Sequence, residues 1–203
     1  MRILVKKGGP LTTLQDLGRY GYQKFGVLVS GAMDDVSLRL SNLLVQNDPG
    51  EGALEMTMSG PVLVLPAGLV FALTGADMKA TLGGKPVPRY RPIYVRKEAI
   101  LTFGFAQTGS RAYLSVAGGF DVPQVMESKS TYLRAKIGGV KGRPIDKGDE
   151  LPIGTIGPHQ AAFVGRMERS AQEGDSFVTV PWSIAGGFVF AKGPIRILEG
   201  LKY

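Results

Sequence analysis

The segment LEMTMSGPVLVLPAGLVFAL, residues 54–73, decides the fold that we expect for this chain. It contains short apolar or alternating runs that are separated by Gly-Pro and by Pro-Ala-Gly. Brief runs of this kind between turn formers are typical of β-strands, and they are too short for long helices. The segment therefore predicts consecutive short strands joined by tight turns.

The strand pattern extends over most of the chain. Residues 79–82 and 85–87 flank Gly83-Gly84, which is a two-residue hairpin signal. The 203 residues include 29 glycines and 13 prolines, as expected for many turns. Regularly spaced short strands with one or two short helices predict a mostly β fold, closed or nearly closed into a β-barrel. Further candidate strands lie at 3–5, 93–95, 100–103, 112–116, 150–153, 177–180 and 195–198.

One helix is predicted at residues 34–45. Asp34 can cap its first turn, and the sequence Asn-Asp-Pro-Gly at 47–50 ends it. The spacing of the aliphatic residues predicts a buried stripe on this helix, made of Val36, Leu40, Leu43 and Leu44.

Composition excludes several classes of protein and site. The chain is 44% hydrophobic and 20% charged, which is typical of a globular protein. It has no cysteine and a single histidine, so disulfides, thiolate nucleophiles and cysteine- or histidine-rich metal sites are excluded. The longest apolar region, residues 61–76, is interrupted by Pro66 and Gly68, which argues against a membrane-spanning helix. The basic start MRILVKKGG does not resemble a secretory signal, and we expect a cytoplasmic protein with no metal site.

The net charge is +7, and the basic residues cluster within residues 85–97 and 129–147. No nucleic-acid-binding signature accompanies this charge. We therefore expect a solvated basic face, or a surface for an acidic partner or an anionic substrate, rather than a nucleic-acid site.

Polar residues are concentrated in residues 11–44, ahead of the predicted helix. Asp16 and Arg19 flank a glycine, so they either close a turn or hold an arginine that clamps a carboxylate. Ser30 precedes the helix start, where backbone N–H groups and the helix dipole favour an anion. Asp34 is either the N-cap or a catalytic acid.

Two further places combine polar groups. Asp77 ends an apolar strand, where it either faces the mouth of a pocket or terminates a turn. Residues 127–132 are rich in hydroxyls that could bind a polar substrate. A Ser-His-Asp triad is excluded because His159 lies in a Gly-Pro context, where we expect a solvated loop.

Several motifs occur in an order that resembles a known family. They are LTTLQDLGRYGYQKFGVLVSGAMD, LEMTMSGP, LTGAD, RAYLSVAGGFDVP and ESKSTYLRAKIGG. The pattern is similar to allophanate hydrolase subunit 2, a family also known as the biotin-dependent carboxyltransferases and as the C subunits of 5-oxoprolinase. Its details look most like the KipA-like proteins of Bacillus, which antagonise the Kip inhibitor of a histidine kinase. The match runs from residue 3 to residue 154 and resumes at 194–200.

The resemblance implies a cyclophilin-like β-barrel and three alternative functions. The first is the C subunit of an ATP-dependent 5-oxoprolinase, which opens 5-oxoproline to glutamate. Its partners would be the A and B subunits of that enzyme, of which the B subunit resembles the Kip inhibitor. The second alternative is a KipA-like regulator, and the third is the carboxyltransferase component of a urea-type carboxylase. No cofactor would be bound by this chain, because ATP, or biotin in the third case, would be carried by a partner.

The resemblance also implies a domain division and a set of site residues. Residues 1–154 would form the cyclophilin-like domain, 155–193 a variable segment or linker, and 194–203 the start of a second barrel half. Arg19 or Arg111 would bind a substrate carboxylate, and Asp34 or Asp77 would hold or deprotonate an amide nitrogen. The expected catalytic residues are thus Asp34 and Asp77, and the expected substrate-binding residues are Asp16, Arg19, Ser30, Arg111, Ser128, Ser130 and Thr131.

Overall fold

The computed structural model describes residues 1–172 and 174–184. This part of the chain contains twelve β-strands, two α-helices and a short 3-10 turn at Gln23–Phe25. The helices are α1 (Asp35–Leu44) and α2 (Pro158–Arg169). The strands are β1 (Arg2–Lys7), β2 (Thr12–Gln15), β3 (Ala53–Thr57), β4 (Val62–Leu65), β5 (Val70–Asp77), β6 (Thr81–Leu82), β7 (Lys85–Pro86), β8 (Pro92–Val95), β9 (Ala99–Thr102), β10 (Thr108–Val116), β11 (Glu150–Pro152) and β12 (Phe177–Thr179).

The strands form two six-stranded antiparallel sheets. The strand order is β11-β1-β4-β9-β6-β7 in the first sheet and β12-β8-β5-β10-β3-β2 in the second. The prediction of a mostly β fold with one or two short helices is confirmed. Within the described residues, however, the strands lie in two separate sheets and not in one closed ring.

The main core lies between the two sheets, and both sheets contribute apolar side chains to it. Alternate positions along each strand point to opposite faces, so one face of each sheet is apolar. Ile3 and Leu63 enter the core from the first sheet, and Leu54, Phe71 and Leu114 enter it from the second. The Gly-Gly hairpin predicted at residues 83–84 joins β6 to β7, where Leu82 pairs with Lys85.

A bulge interrupts the pairing of the two longest strands, β5 and β10. Thr108 pairs with Asp77 and Ala112 pairs with Gly75, so β10 has extra residues at this point. Gly75 has φ +80°, and a Cβ there would collide with the carbonyl oxygen of Arg111. The bulge thus depends on this glycine, and it determines how the polar end of β5 is presented.

Helix α1 begins after Asp34, as predicted, but its buried face matches the predicted stripe only in part, since Leu44 is buried and Leu40 is half-buried. Val36 is 48% exposed and Leu43 is 51% exposed. The side that packs against the second sheet is mixed. Leu38 contacts Ala53 and Tyr113 there, and Ser41 Oγ lies 2.7 Å from Ser115 Oγ. The prediction was wrong for Val36 and Leu43, because this face of the sheet also offers a hydroxyl group that pairs with a serine of the helix.

The segment expected to be a linker contains both α2 and β12. Strand β12 pairs with β8, and Phe163 and Met167 of α2 pack in a second cluster of buried apolar residues. His159 lies in the first turn of α2 and not in a loop, since Pro158 starts that helix. Residues 194–203 and the strand predicted at 195–198 lie outside the described residues. None of the helices described is both long and apolar enough to cross a membrane.

Candidate functional site

A buried cluster unites four of the predicted site residues. Its centre is the carboxylate of Asp16, which accepts hydrogen bonds from Ser128 Oγ at 2.8 Å, from Lys129 N at 2.6 Å and from the hydroxyl of Ser130. The same carboxylate accepts a hydrogen bond from Gly18 N at 2.7 Å, which closes a local turn. We call Asp16, Arg19, Ser128 and Ser130 the Asp16 clamp.

Arg19 lies fully inside the protein, with 0% of its surface exposed. Its Nη2 donates to the carbonyl oxygen of Ser130, and its Nε donates to that of Val125 at 3.4 Å. Burial lowers the pKa of Arg19, and the nearby Asp16 carboxylate opposes that shift. A guanidinium held in this way is directed at the protein's own carbonyl groups and is closed off from a substrate carboxylate.

Thr131 extends the clamp to strand β2. Both its backbone N and its Oγ1 donate to the carbonyl oxygen of Leu14, each at 2.9 Å. Two segments more than a hundred residues apart are thus joined, and the two polar segments of the sequence meet. Ser128, Ser130 and Thr131 are all buried, and their hydroxyls donate hydrogen bonds to Asp16 or to Leu14 within this junction.

Asp34 is the N-cap of α1. Its Oδ1 accepts from Ser37 N at 2.9 Å, and its Oδ2 accepts from Ser37 Oγ at 2.6 Å. Both carboxylate oxygens are therefore used in the first turn of the helix, which is the capping role that the sequence left open.

Arg111 is connected to Asp34 by a chain of polar contacts through Tyr113 and Glu55. Neither Tyr113 nor Glu55 was in the site predicted from the sequence. Asp34 N donates to the hydroxyl of Tyr113 at 2.7 Å, and that hydroxyl donates to Glu55 Oε2 at 2.7 Å. Arg111 Nε lies 3.6 Å from Glu55 Oε1. Burial, followed by the charge of Glu55, raises the pKa of Tyr113 strongly, so the tyrosine stays protonated. The only sequence signal for a role of Glu55 was its position between apolar residues in β3, and this pattern fits an ordinary surface residue equally well.

Ser30 stands apart from these groups. It has a positive φ of 58° and lines a polar depression of about 490 Å³ beside Tyr20, Asp35 and Arg39. No hydrogen bond among the described residues links its side chain to the Asp16 clamp or to Asp34.

Asp77 lies at a pocket of about 350 Å³ at the end of β5. We call this cavity the Asp77 pocket. Asp77, Lys79 and Arg89 line it together with Thr74, and the two basic residues were absent from the site predicted from the sequence. Most of the remaining lining is apolar and comes from Leu73, Ala76, Met78, Ala80, Val87, Phe103 and Ala112.

The charges at the Asp77 pocket are unequal. Lys79 donates to Asp77 through its backbone N at 2.9 Å and through Nζ at 3.1 Å, and Arg89 Nη2 lies 3.9 Å from Asp77 Oδ2. The backbone hydrogen bond from Lys79 is the largest cause that lowers the pKa of Asp77 below its usual value. Asp77 is therefore a weak base, better suited to accept a hydrogen bond than to remove a proton. Two cations face one carboxylate, which leaves an excess of positive charge.

A comparison with protein families identifies the chain. The family described as "Carboxyltransferase domain, subdomain A and B" matches residues 25–186. The chain belongs to this family. The match contains Asp34, Asp77 and the serines of the Asp16 clamp. Among the described residues, no group of three or more His, Asp or Glu side chains could hold a metal ion.

Curated members of the carboxyltransferase-domain family include proteins with two kinds of name. The chain is 43% identical to the C subunit of 5-oxoprolinase from Escherichia coli (strain K12) over 148 residues, which cover 73% of this chain and 48% of that protein. It is 41% identical to urea amidolyase of Saccharomyces cerevisiae over 144 residues, which cover 70% of this chain and 8% of that protein. The chain thus spans about half the length of the oxoprolinase relative and a small part of the amidolyase.

Solved structures of the family share the fold. The urea amidolyase of K. lactis matches with a TM-score of 0.74 and 38% identity, over 78% of this chain and 10% of that chain. The urea carboxylase of Kluyveromyces lactis matches with the same score and identity, over 78% of this chain and 14% of that chain.

Proposed function

We propose that this chain acts as the C subunit of an ATP-dependent 5-oxoprolinase, which hydrolyses 5-oxoproline to glutamate together with its A and B subunits. The observation that carries the proposal is the 43% identity to the C subunit of 5-oxoprolinase over 73% of this chain. The chain alone is expected to be inactive, because ATP would be bound by the partner subunits. Such a complex would work in the cytoplasm, which suits a chain that has no cysteine.

The Asp77 pocket gives this proposal a place for the substrate. Opening the lactam ring requires that an amide be held while its carbonyl carbon is attacked. The Asp77 carboxylate would accept the hydrogen bond of the lactam N–H, since its lowered pKa keeps it charged near neutral pH. The apolar lining would contact the ring methylenes.

A carboxyltransferase function is the second candidate, and a specific observation favours it. Relatives named urea amidolyase and urea carboxylase match over 70–78% of this chain. In this alternative, carboxybiotin on a partner protein would donate a carboxyl group to urea or to a similar amide. The two candidates share a small amide-containing substrate and differ in the partner that brings the energy.

Reconstitution separates the two candidates. The protein, in the form that its gene encodes, is co-purified with the A and B subunits of 5-oxoprolinase, and ATP hydrolysis and glutamate release are measured with and without 5-oxoproline. We expect both to depend on all three proteins. A parallel mixture with a biotin carboxylase, its biotin carrier, bicarbonate and urea tests the alternative. Carboxylation there, without 5-oxoproline-dependent ATP hydrolysis in the first mixture, would overturn our proposal.

A further inference from the structure

We infer that the Asp77 pocket binds a small monocarboxylate with a compact apolar body, and that Arg89 is the residue that binds its carboxylate. The inference rests on the proposed function where it identifies the ligand as 5-oxoproline. The sequence-based site assigned this task to Arg19 or Arg111. Arg89 lines this cavity, whereas neither Arg19 nor Arg111 is among its lining residues.

Arg89 is held in place, yet most of its hydrogen-bonding capacity remains. Its Nη1 donates to the carbonyl oxygen of Gly75, and its guanidinium carbon lies 5.5 Å from the ring centroid of Tyr90. A guanidinium has five N–H donors, and within the described residues only this one is engaged in a hydrogen bond. The side chain is 30% exposed. Arg89 can therefore offer two adjacent donors to a carboxylate.

The segment that carries Arg89 is fixed on both sides of the pocket. Val87 N donates to the carbonyl oxygen of Ala80 at 2.9 Å, and Tyr90 N donates to that of Leu73 at 2.7 Å. Pro86 and Pro88 restrict the backbone between these anchors. Because little conformational freedom remains to be lost, ligand binding to Arg89 costs little ordering entropy.

The charge balance defines the ligand. Asp77, Lys79 and Arg89 together carry one excess positive charge, and a ligand with a single carboxylate brings the site to neutrality. A ligand whose N–H neighbours its carboxylate could use Arg89 and Asp77 at once, since their charged atoms are 3.9 Å apart. 5-Oxoproline has this arrangement. A neutral amide such as urea would leave the excess charge uncompensated.

Size and polarity limit the rest of the ligand. The cavity of about 350 Å³ is near the lower end of the range of roughly 300–1,000 Å³ typical of small-molecule sites. Leu73, Met78 and Ala112 are almost fully buried along its lining and would contact methylene groups. A long or highly polar acid would therefore fit poorly.

Titration calorimetry on the chain by itself tests the inference with three ligands. They are 5-oxoproline, cyclopentanecarboxylate, which lacks the lactam, and pyrrolidin-2-one, which lacks the carboxylate. We expect 5-oxoproline to bind most tightly, cyclopentanecarboxylate more weakly, and pyrrolidin-2-one at least about tenfold more weakly than 5-oxoproline. Arg89→Met should weaken 5-oxoproline binding at least about tenfold, and Arg89→Lys should weaken it less.

Lys85→Met is the matched control, because it removes a neighbouring exposed cation that does not line the pocket. Its affinity for 5-oxoproline should stay within about twofold of wild type. Circular dichroism checks that each variant is folded. If Arg89→Met does not fold, the affinity of Arg89→Lys for 5-oxoproline tests the inference instead. Absence of carboxylate binding in the wild type, or unchanged binding in the Arg89 variants, would overturn the inference. That failure is distinguishable from failure of the proposed function, which is decided by turnover in the reconstituted complex.

Discussion

The Asp16 clamp and the Asp77 pocket use the same residue types for different purposes. Each brings an aspartate and an arginine together beside a turn. Arg19 is 0% exposed and donates to backbone carbonyl groups, whereas the Arg89 side chain is 30% exposed and has donors to spare. An aspartate–arginine pair thus has a structural role where it is buried and hydrogen-bonded to other protein groups. It can bind a ligand where it is partly exposed and has free donors.

The two aspartates differ in the same way. The Asp16 carboxylate accepts four hydrogen bonds from different parts of the chain. Within the described part of the chain, the Asp77 carboxylate accepts hydrogen bonds from Lys79 alone, and this partner is two residues away. Substitutions at Asp16 should therefore affect the free energy of unfolding, and substitutions at Asp77 should affect ligand binding.

The largest expected effect is that of Asp16→Ala. It removes the acceptor of four hydrogen bonds, two of them from the buried hydroxyls of Ser128 and Ser130, and it removes the negative charge near the buried Arg19. The expected loss is about 3–5 kcal/mol. The melting temperature should fall by roughly 10 °C for a domain of this size. Urea unfolding measures the loss. Asp35→Ala is the control, because its exposed pair with Arg39 should contribute less than about 1 kcal/mol. A loss below about 1 kcal/mol at Asp16 would contradict a structural role for the clamp.

The contrast between these two regions could be predicted only in part from the sequence. Both aspartates precede turn-forming residues, and the turn role of Asp16 was one of two open interpretations. The hydrogen bond from Gly18 N to Asp16 bears out that role. The partners Ser128 and Ser130, however, lie more than a hundred residues away, and no local pattern can show such a contact. Strand β2, which brings Asp16 to them, was not predicted because its four residues lack a clear alternation.

Prediction of the strands was more successful, since short apolar runs between glycines and prolines depend on local chemistry. Helix α1 was found from its cap at Asp34, but Val36 and Leu43 of its predicted stripe are exposed, because the buried face depends on which groups the sheet presents. Arg89 was missed because it lies in the basic stretch at residues 85–97, which normally faces solvent, and Lys79 because it was assigned only to the strand at residues 79–82. The prolines on either side of Val87 were the one available signal of a fixed segment there.

Glycine substitutions sharpen the comparison at the level of the backbone. Gly138 has φ +68°, and a Cβ there would collide with the carbonyl oxygen of Ser130 inside the clamp. Gly138→Ala should therefore cost at least about 2 kcal/mol, combining backbone strain with displacement of the clamp. Gly84 has φ +80° but no atom within 4 Å of the position of a Cβ, so Gly84→Ala should cost only about 1 kcal/mol. Equal losses in urea unfolding would show that the clamp is not tightly packed.

Asp77→Asn should have a much smaller effect on stability. The Asp77 side chain is 25% exposed, and its partners Lys79 and Arg89 are 65% and 30% exposed. Ion pairs in contact with solvent contribute little, so the free energy of unfolding should change by less than about 1 kcal/mol. The 5-oxoproline-dependent ATP hydrolysis of the reconstituted complex should nevertheless fall at least about tenfold, because an amide replaces the charged acceptor. Asp35→Asn provides the control. Wild-type activity combined with wild-type stability would remove Asp77 from the site.

The smallest expected effect concerns pH. The pKa of Asp77 is lowered from 3.8 in the folded protein, so its contribution to stability is present above that value and is lost as the pH falls through the folded pKa. Wild type and Asp77→Asn should therefore differ slightly in melting temperature at pH 7 and converge as the pH falls through the folded pKa of Asp77. Between pH 5 and 8 the residual activity of Asp77→Asn should follow the wild-type profile, because a carboxylate that stays charged there does not titrate. A change in the shape of that profile would identify Asp77 as a general base, and the pocket would then differ from the clamp in chemistry as well as in burial.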